Sequence, residues 1–110
     1  MKILDKKIKR AELKKSDFVM MGEMVKGVVD IKKGILAIDA ELHADIEKML
    51  LDAGSDQYDL SGINLYFDGD LVEFDSMINI RPAQGNRSRG VEDATTQAKI
   101  LETVRKYIDD

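Results

Sequence analysis

The chain has 110 residues, of which 44% are hydrophobic and 35% charged, and its formal net charge is −4. This length suits one hydrophobic core, so we expect a single domain over residues 1–110. The acidic balance makes a nucleic-acid partner unlikely on compositional grounds, because neutralising phosphates requires clustered Lys and Arg. The absence of cysteine excludes disulfides, thiolate metal sites and cysteine nucleophiles.

The N-terminal segment MKILDKKIKRAELKK lacks the apolar core of a signal peptide, and no apolar run reaches the length of a membrane span. We therefore expect a cytoplasmic protein with no membrane partner. The lysines of this segment indicate a solvated helix face in preference to a nucleic-acid arm, because charge runs alone are weak signals.

The first half of the chain predicts a short strand, a helix and a hairpin. Residues 2–4 favour a strand, and residues 10–21 favour a helix that ends at Gly22. The apolar runs VKGVVDI and ILAIDA are joined by residues 32–34, which predicts a hairpin with Ile31 opposite Ile35. Both faces of this hairpin are apolar, so it should lie centrally with cover on each side.

The second half predicts two further helices and a second hairpin. HADIEKMLLDAG has helical periodicity, and Gly54 suits a left-handed C-terminal cap. INLYF and LVEFDSMINI predict a hairpin with Phe67 opposite Val72, in which one wall is apolar and the other polar. The last helix is predicted over residues 93–108, with Asp93 as its N-cap. Its apolar stripe is Ala94, Ala98, Leu101, Val104 and Ile108. The order of elements predicts an α+β fold, with a mostly antiparallel sheet of four to five strands and three packed helices.

The loop QGNRSRG precedes the last helix and combines glycines, neutral donors and arginines. Because helix N-termini and glycine-rich turns expose backbone N–H groups, this pattern predicts a site for a phosphate- or carboxylate-bearing ligand. The expected ligand-binding residues are Asn64, Asn79, Arg81, Asn86, Arg87, Ser88 and Arg89. The alternative is a structural clasp, in which nearby carboxylates or backbone carbonyls occupy the arginines.

His43 is the only histidine, and the segment DAELHAD places acids at alternate positions around it. An extended segment would bring these groups to one face, whereas a helix that starts here would scatter them. The pattern admits a small hydrolase in which His43 acts as acid or base with Glu41 or Asp75, and arginines stabilise the anionic substrate. With no second histidine, a zinc site is disfavoured, and we assign no metal ligand and no cofactor.

The segments ELHAD, GINLYF and FDSMINIRPAQGNRSRGVED resemble those of a family of short prokaryotic proteins defined only as a domain of unknown function. The resemblance implies no activity, ligand or partner. It implies only that certain residues belong to the family's recognisable pattern, namely Glu41, His43, Asp75, Asn79, Arg81, Asn86, Arg87 and Arg89.

A third hypothesis is an interaction module, such as a homodimer in which the arginines contact acids of the partner. Methionines would give such a surface an adaptable apolar lining, although ordinary core packing also explains them. The methionines concerned are Met20, Met21, Met24 and Met49.

Overall fold

A computed structural model describes residues 1–15, 18 and 22–110 of the chain. The strands are β1 (Lys2–Ile3), β2 (Ile8–Lys9), β3 (Met24–Asp30), β4 (Ile35–Ile38), β5 (Leu60–Tyr66), β6 (Val72–Glu73) and β7 (Ile108–Asp109). Five of them form an antiparallel sheet in the order β1-β4-β3-β5-β6. The helices are α1 (Glu12–Lys15), α2 (His43–Asp52) and α3 (Ala94–Tyr107). The predicted α+β class is confirmed.

The two faces of the sheet carry separate apolar clusters. On one face, Ile46 and Leu50 of α2 pack with Val28 of β3. On the other, α3 contributes Ile100 and Val104 to a cluster with further residues of β3, β4 and β5. Alternate residues of a strand point to opposite faces, so β3 serves both clusters. The prediction of a central hairpin covered on each side is confirmed.

The register of the first hairpin differs from the prediction by one residue. Asp30, and not Ile31, lies opposite Ile35. The Asp30 carboxylate accepts hydrogen bonds from the backbone N–H groups of Lys32 and Lys33, at 3.0 and 2.9 Å. These bonds make Asp30 the last strand residue and place Ile31 in the turn.

The second hairpin is shorter than predicted. Leu65 pairs with Val72, so the predicted pairing of Phe67 with Val72 is wrong, and β6 ends at Glu73. The chain then forms a 3₁₀ turn over Met77–Asn79. The hydrogen-bond ladder between β5 and β6 ends here because a side chain of this turn, and not its backbone, bonds to the next backbone groups of β5.

Asn79 replaces a strand backbone beside β5. Its Oδ1 accepts from the Gly62 N–H at 2.8 Å, and its Nδ2 donates to the Gly62 carbonyl at 2.9 Å. A Cβ on Gly62 would lie 2.5 Å from the Ser76 Cβ, so glycine alone permits this close approach. The 3₁₀ turn is thereby fastened directly onto the sheet.

The predicted polar wall is present on the α2 side of this hairpin. Asn64 and Tyr66 both donate to the Glu73 carboxylate, at 2.8 and 2.9 Å. Asn64 lies between two neighbours in the sheet, Lys26 on β3 and Glu73 on β6. This polar row interrupts an otherwise apolar face.

The capping residues of the helices agree with the prediction better than their buried residues do. Gly54 after α2 has a positive φ of 102°, and the Asp93 side chain accepts from the Thr96 N–H at the start of α3. The predicted α3 stripe is wrong in its first half, because Ala94 and Ala98 are exposed. The buried side chains of α3 are Ile100, Thr103 and Val104. Ile100 and Val104 belong to the apolar cluster, and burying these larger side chains stabilises more than burying alanine.

The predicted helix over residues 10–21 is described only in part. Its first turn is present as α1, and residues 16, 17 and 19–21, including Met20 and Met21, lie outside the described residues. A parallel pair that the sequence did not suggest joins Ile8 of β2 to Ile108 of β7. None of the helices that the structure describes is long and apolar enough to cross a membrane.

Candidate functional site

Arg81 fastens the loop of residues 81–90 to the body of the protein. Its guanidinium donates to the backbone carbonyls of Gln57 and Leu60. Burial lowers the pKa of Arg81 from its usual value, and the carboxylates of Glu47 and Asp59 oppose this shift. The group is thus occupied by carbonyls that lie far away in the sequence.

Asn86 closes the loop from within. Its Nδ2 donates to the carbonyls of Asn79 and Gly90, at 2.7 and 2.8 Å, and more weakly to that of Ser88. Its Oδ1 accepts from the Glu92 N–H at 2.9 Å. A single amide side chain therefore satisfies several backbone groups of an irregular segment.

The expected anion site of the loop contains a carboxylate of the chain itself. The backbone N–H groups of Arg87 and Ser88 donate to Glu92 Oε2, at 2.6 and 3.2 Å. The bond from the Arg87 N–H is the main reason why the pKa of Glu92 lies below its usual value. Asp93 occupies the start of α3 in the same way, because its Oδ2 lies 2.9 Å from the Thr96 nitrogen. A cavity of about 170 Å³ adjoins these two carboxylates.

A second cavity, of about 200 Å³, lies where the N-terminus of α2 meets β3, β5 and the 3₁₀ turn of Met77–Asn79. We call it the His43 cavity. Its lining residues are Met24, Lys26, Leu42, His43, Ala44, Asn64, Asp75, Ser76, Met77, Ile78 and Arg89.

His43 is the first residue of α2, and only 8% of it is exposed. Its Nε2 lies 2.7 Å from the Ile63 carbonyl oxygen. A carbonyl only accepts, so we assign the proton of the neutral ring to Nε2, which leaves Nδ1 as an acceptor. Burial lowers the pKa of His43 below its ordinary value of 6.5, and the bond to Ile63 and the nearby Asp75 oppose that shift. The imidazole is therefore neutral at pH 7.

Asn64 is 3% exposed and has one satisfied end and one unsatisfied end. Its Nδ2 donates to Glu73, whereas its Oδ1 has no hydrogen-bond partner within the described part of the chain. An ionised carboxylate only accepts, so the bond to Glu73 fixes which end of the amide is which. Glu47 Oε2 is also buried without a hydrogen-bond partner in the described part of the chain, but Glu47 does not line the His43 cavity. An unsatisfied buried acceptor costs about 1–3 kcal/mol.

Two cationic side chains line the His43 cavity. Arg89 Nε forms an ion pair with Asp75 Oδ1 at 2.8 Å, and both side chains remain substantially exposed. Lys26 lies opposite Asn64 in the sheet, and its ammonium has no hydrogen bond or ion pair to any residue that the structure describes. Leu42, the N-cap residue of α2, supplies no side-chain bond to the first N–H groups of the helix, as far as the described residues go. The positive end of α2 and two cations thus meet at one opening.

The structure brings together part of the predicted site. His43, Asn64, Asp75 and Arg89 line one cavity, whereas Glu41 is exposed and does not line it. The other predicted residues hold the loop: Asn79, Arg81, Asn86 and Ser88 bond to backbone or to Glu92. The Arg87 side chain is exposed.

Lys26 is the lining residue that the sequence analysis missed. It lies within a strand of mainly apolar residues, and such a polar position on a covered strand was the signal that could have identified it. The described residues contain no group of three or more His, Asp or Glu side chains placed to hold a metal ion.

Comparison with known proteins identifies the family. Residues 2–107 match the family model described as "Protein of unknown function (DUF5674)". No curated protein matches the chain. No solved structure matches it either. The chain therefore belongs to this family of unknown function, and the resemblance seen in the sequence is confirmed at that level.

Proposed function

We propose that the protein binds a small phosphate- or carboxylate-bearing ligand in the His43 cavity. The observation that carries this proposal is the meeting of Lys26 and Arg89 at a cavity of about 200 Å³ that also includes the start of α2. The predicted class of ligand is retained, and its place moves from the centre of the loop of residues 81–90 to one end of it.

The charges at the two places support this choice. In the loop, the donors that an anion would need are already bonded to Glu92. In the His43 cavity, Asp75 is the only carboxylate among the described lining residues, and its Oδ1 lies 2.8 Å from the Nε of Arg89. The terminal amino groups of Arg89 and the Lys26 ammonium are the donors that we assign to the ligand.

The contacts assigned to the ligand are few, so we expect a weak affinity. A charge-assisted hydrogen bond contributes about 1.5–3 kcal/mol, and a helix N-terminus adds roughly 0.3–1 kcal/mol. Two such bonds and one helix terminus give roughly 3–7 kcal/mol, which corresponds to a Kd between about 10 μM and a few millimolar. The cavity is smaller than the ~300–1,000 Å³ typical of drug-sized ligands, which favours a small metabolite.

The test is a thermal-shift titration with inorganic phosphate, acetate and succinate on the wild type and on two matched variants. Arg89→Gln removes a cation of the cavity, and Arg87→Gln removes a cation of the same loop that lies outside it. At 10 mM ligand and a Kd of 1 mM, mass action stabilises the folded state by about 1.4 kcal/mol. This stabilisation corresponds to a rise of several degrees in Tm.

We expect the ligand to raise the Tm of the wild type and of Arg87→Gln but not that of Arg89→Gln. No rise with any of the three probes up to 50 mM would overturn the proposal. A rise that depends on Arg87 and not on Arg89 would return the site to the loop.

A second candidate function uses the same cavity for hydrolysis of an anionic ester. It is favoured by one observation, namely that the Ile63 carbonyl holds the neutral His43 ring with Nδ1 as its unprotonated nitrogen. In such a reaction Nδ1 would take a proton from the attacking water, while Lys26 and Arg89 stabilise the charge on the substrate. Asp75 is the one predicted carboxylate that shares the cavity, because Glu41 lies outside it.

This candidate is tested with p-nitrophenyl phosphate, which is an anionic ester. A general base must be deprotonated, so turnover should fall as the pH drops through the lowered pKa of His43. His43→Gln should abolish it. Turnover that is unchanged in His43→Gln, or absent in the wild type, would remove hydrolysis and leave ligand binding intact.

A further inference from the structure

We infer that the ligand of the His43 cavity is a small hydroxy acid, with a hydroxyl group beside its acidic group. This inference rests on the proposed binding function and names the chemical class of its ligand. It comes from two acceptor atoms, Asn64 Oδ1 and His43 Nδ1, of residues that line the cavity, whereas the binding proposal came from the cations.

The first acceptor is Asn64 Oδ1. The residue is 97% buried, and this oxygen has no partner among the residues that the structure describes. The Glu73 carboxylate holds Nδ2 at 2.8 Å, so the amide cannot be reversed to present a donor instead. A group that completes this site must donate a hydrogen.

The second acceptor is Nδ1 of His43, since Nε2 is committed to Ile63. An ionised carboxylate or the dianion of a phosphate monoester has only acceptor oxygens and satisfies neither Nδ1 nor Asn64 Oδ1. A hydroxyl group donates to one of them and still accepts from a neighbouring cation.

The charge of the lining selects a hydroxyl over an amine. Lys26 and Arg89 both line the cavity, and Asp75, the single carboxylate among the described lining residues, is already paired with Arg89. A ligand ammonium would donate equally well to Asn64, but it would add a further positive charge beside two cations. A neutral donor avoids this repulsion.

The test compares ligands that differ by one hydroxyl: glycolate with acetate, and malate with succinate. Kd values are measured by isothermal titration at pH 7.5 on the intact protein, where His43 is neutral. We expect each hydroxy acid to bind about 10–100-fold more tightly than its partner, because a good hydrogen bond to a buried acceptor changes Kd by that order. Glycine, which exchanges the hydroxyl for an ammonium, should bind more weakly than glycolate.

The Asn64→Ala variant tests the assignment of the acceptor. We expect the ratio of the glycolate affinity to the acetate affinity to fall several-fold toward unity. The wild-type comparison decides the inference without this variant if Asn64→Ala does not fold.

Equal affinities for glycolate and acetate in the wild type would overturn the hydroxy-acid inference and leave the binding proposal standing. Glycine binding more tightly than glycolate would also overturn it. Failure of all five probes to bind would overturn the inference and the binding proposal together.

Discussion

The loop of residues 81–90 and the His43 cavity have similar chemistry and different outcomes. Each combines arginine, backbone N–H groups and the start of a helix. In the loop and at the start of α3, Glu92 and Asp93 occupy the backbone N–H donors that an anion would need. In the cavity, Lys26 and Asn64 Oδ1 have no partner in the described chain, and α2 has no side-chain cap there. A cationic, glycine-rich loop therefore does not indicate a ligand site where carboxylates of the chain already occupy its backbone N–H groups.

Substituting Asn79 should have the largest effect, because this residue fastens the shared 3₁₀ turn between the two regions. Asn79→Ala leaves the buried N–H and carbonyl of Gly62 without their partners. We expect a loss of about 3 kcal/mol in the free energy of unfolding, measured by urea denaturation.

Gln84→Ala is the matched control, since it shortens an exposed amide of the same segment. Its free energy of unfolding should stay within about 0.5 kcal/mol of the wild type. Equal stabilities for the two variants would show that the turn is not held through Asn79.

Substitutions of Arg81 and Arg87 distinguish the arginine that fastens the loop from the one that is exposed. Arg81→Ala should lower the free energy of unfolding by about 1–2 kcal/mol, because two backbone carbonyls lose a charged donor. Arg87→Ala should change it by less than about 0.5 kcal/mol, as expected for an exposed side chain. The comparison is made at identical salt by urea denaturation. The opposite order would contradict the contacts assigned to Arg81.

Removing Glu92 should convert the loop into the kind of site that it resembles in sequence. In Glu92→Ala, the N–H groups of Arg87 and Ser88 lose their carboxylate partner. We expect weak phosphate binding to appear at the loop. Millimolar phosphate should then shift the amide NMR signals of residues 87 and 88. Absence of these shifts in Glu92→Ala would mean that Glu92 is not what excludes anions from the loop.

The smallest effect concerns pH and the cavity. The pKa of His43 is lower in the folded state than its ordinary value of 6.5, so the unfolded state binds more protons as the pH falls below that value. The contribution to stability is complete above pH 6.5 and is lost as the pH drops through the folded pKa. Lys26 and Arg89 act with burial to lower this pKa, and Asp75 opposes them.

The wild-type Tm should therefore fall between pH 7 and pH 5 by a few degrees more than that of His43→Gln. Identical pH profiles for the two proteins would contradict a lowered pKa at His43. Glu92 and Asp93 do not confuse the result, because their pKa values are also lowered and they titrate in a more acidic range.

The features predicted correctly from the sequence are those determined by neighbouring residues. Asp93 caps α3 through Thr96, and Gly54 follows α2 with the expected positive φ. Both depend on groups within one helical turn, which a local pattern records. The polar wall was predictable for the same reason, because alternation along a strand is a local signal.

The two hairpins predicted wrongly depend on side chains that replace backbone partners. The Asp30 carboxylate shifts one hairpin by a residue, and the Asn79 amide ends another by pairing with Gly62. The role of Arg81 could not be decided from the sequence, because its carbonyl partners lie 24 and 21 residues away. Lys26 joined the candidate site only once its pairing with Asn64 was known.

The most direct test of the central claim uses the single histidine of the chain. The imidazole signals of His43 are followed by NMR at pH 7.5 while glycolate is added to the wild-type protein. The account predicts a saturable shift of the ring signals whose Kd agrees with calorimetry, and the same shift in Arg87→Gln. Glycolate that raises the Tm but leaves the His43 signals unmoved would place the ligand elsewhere and contradict the account.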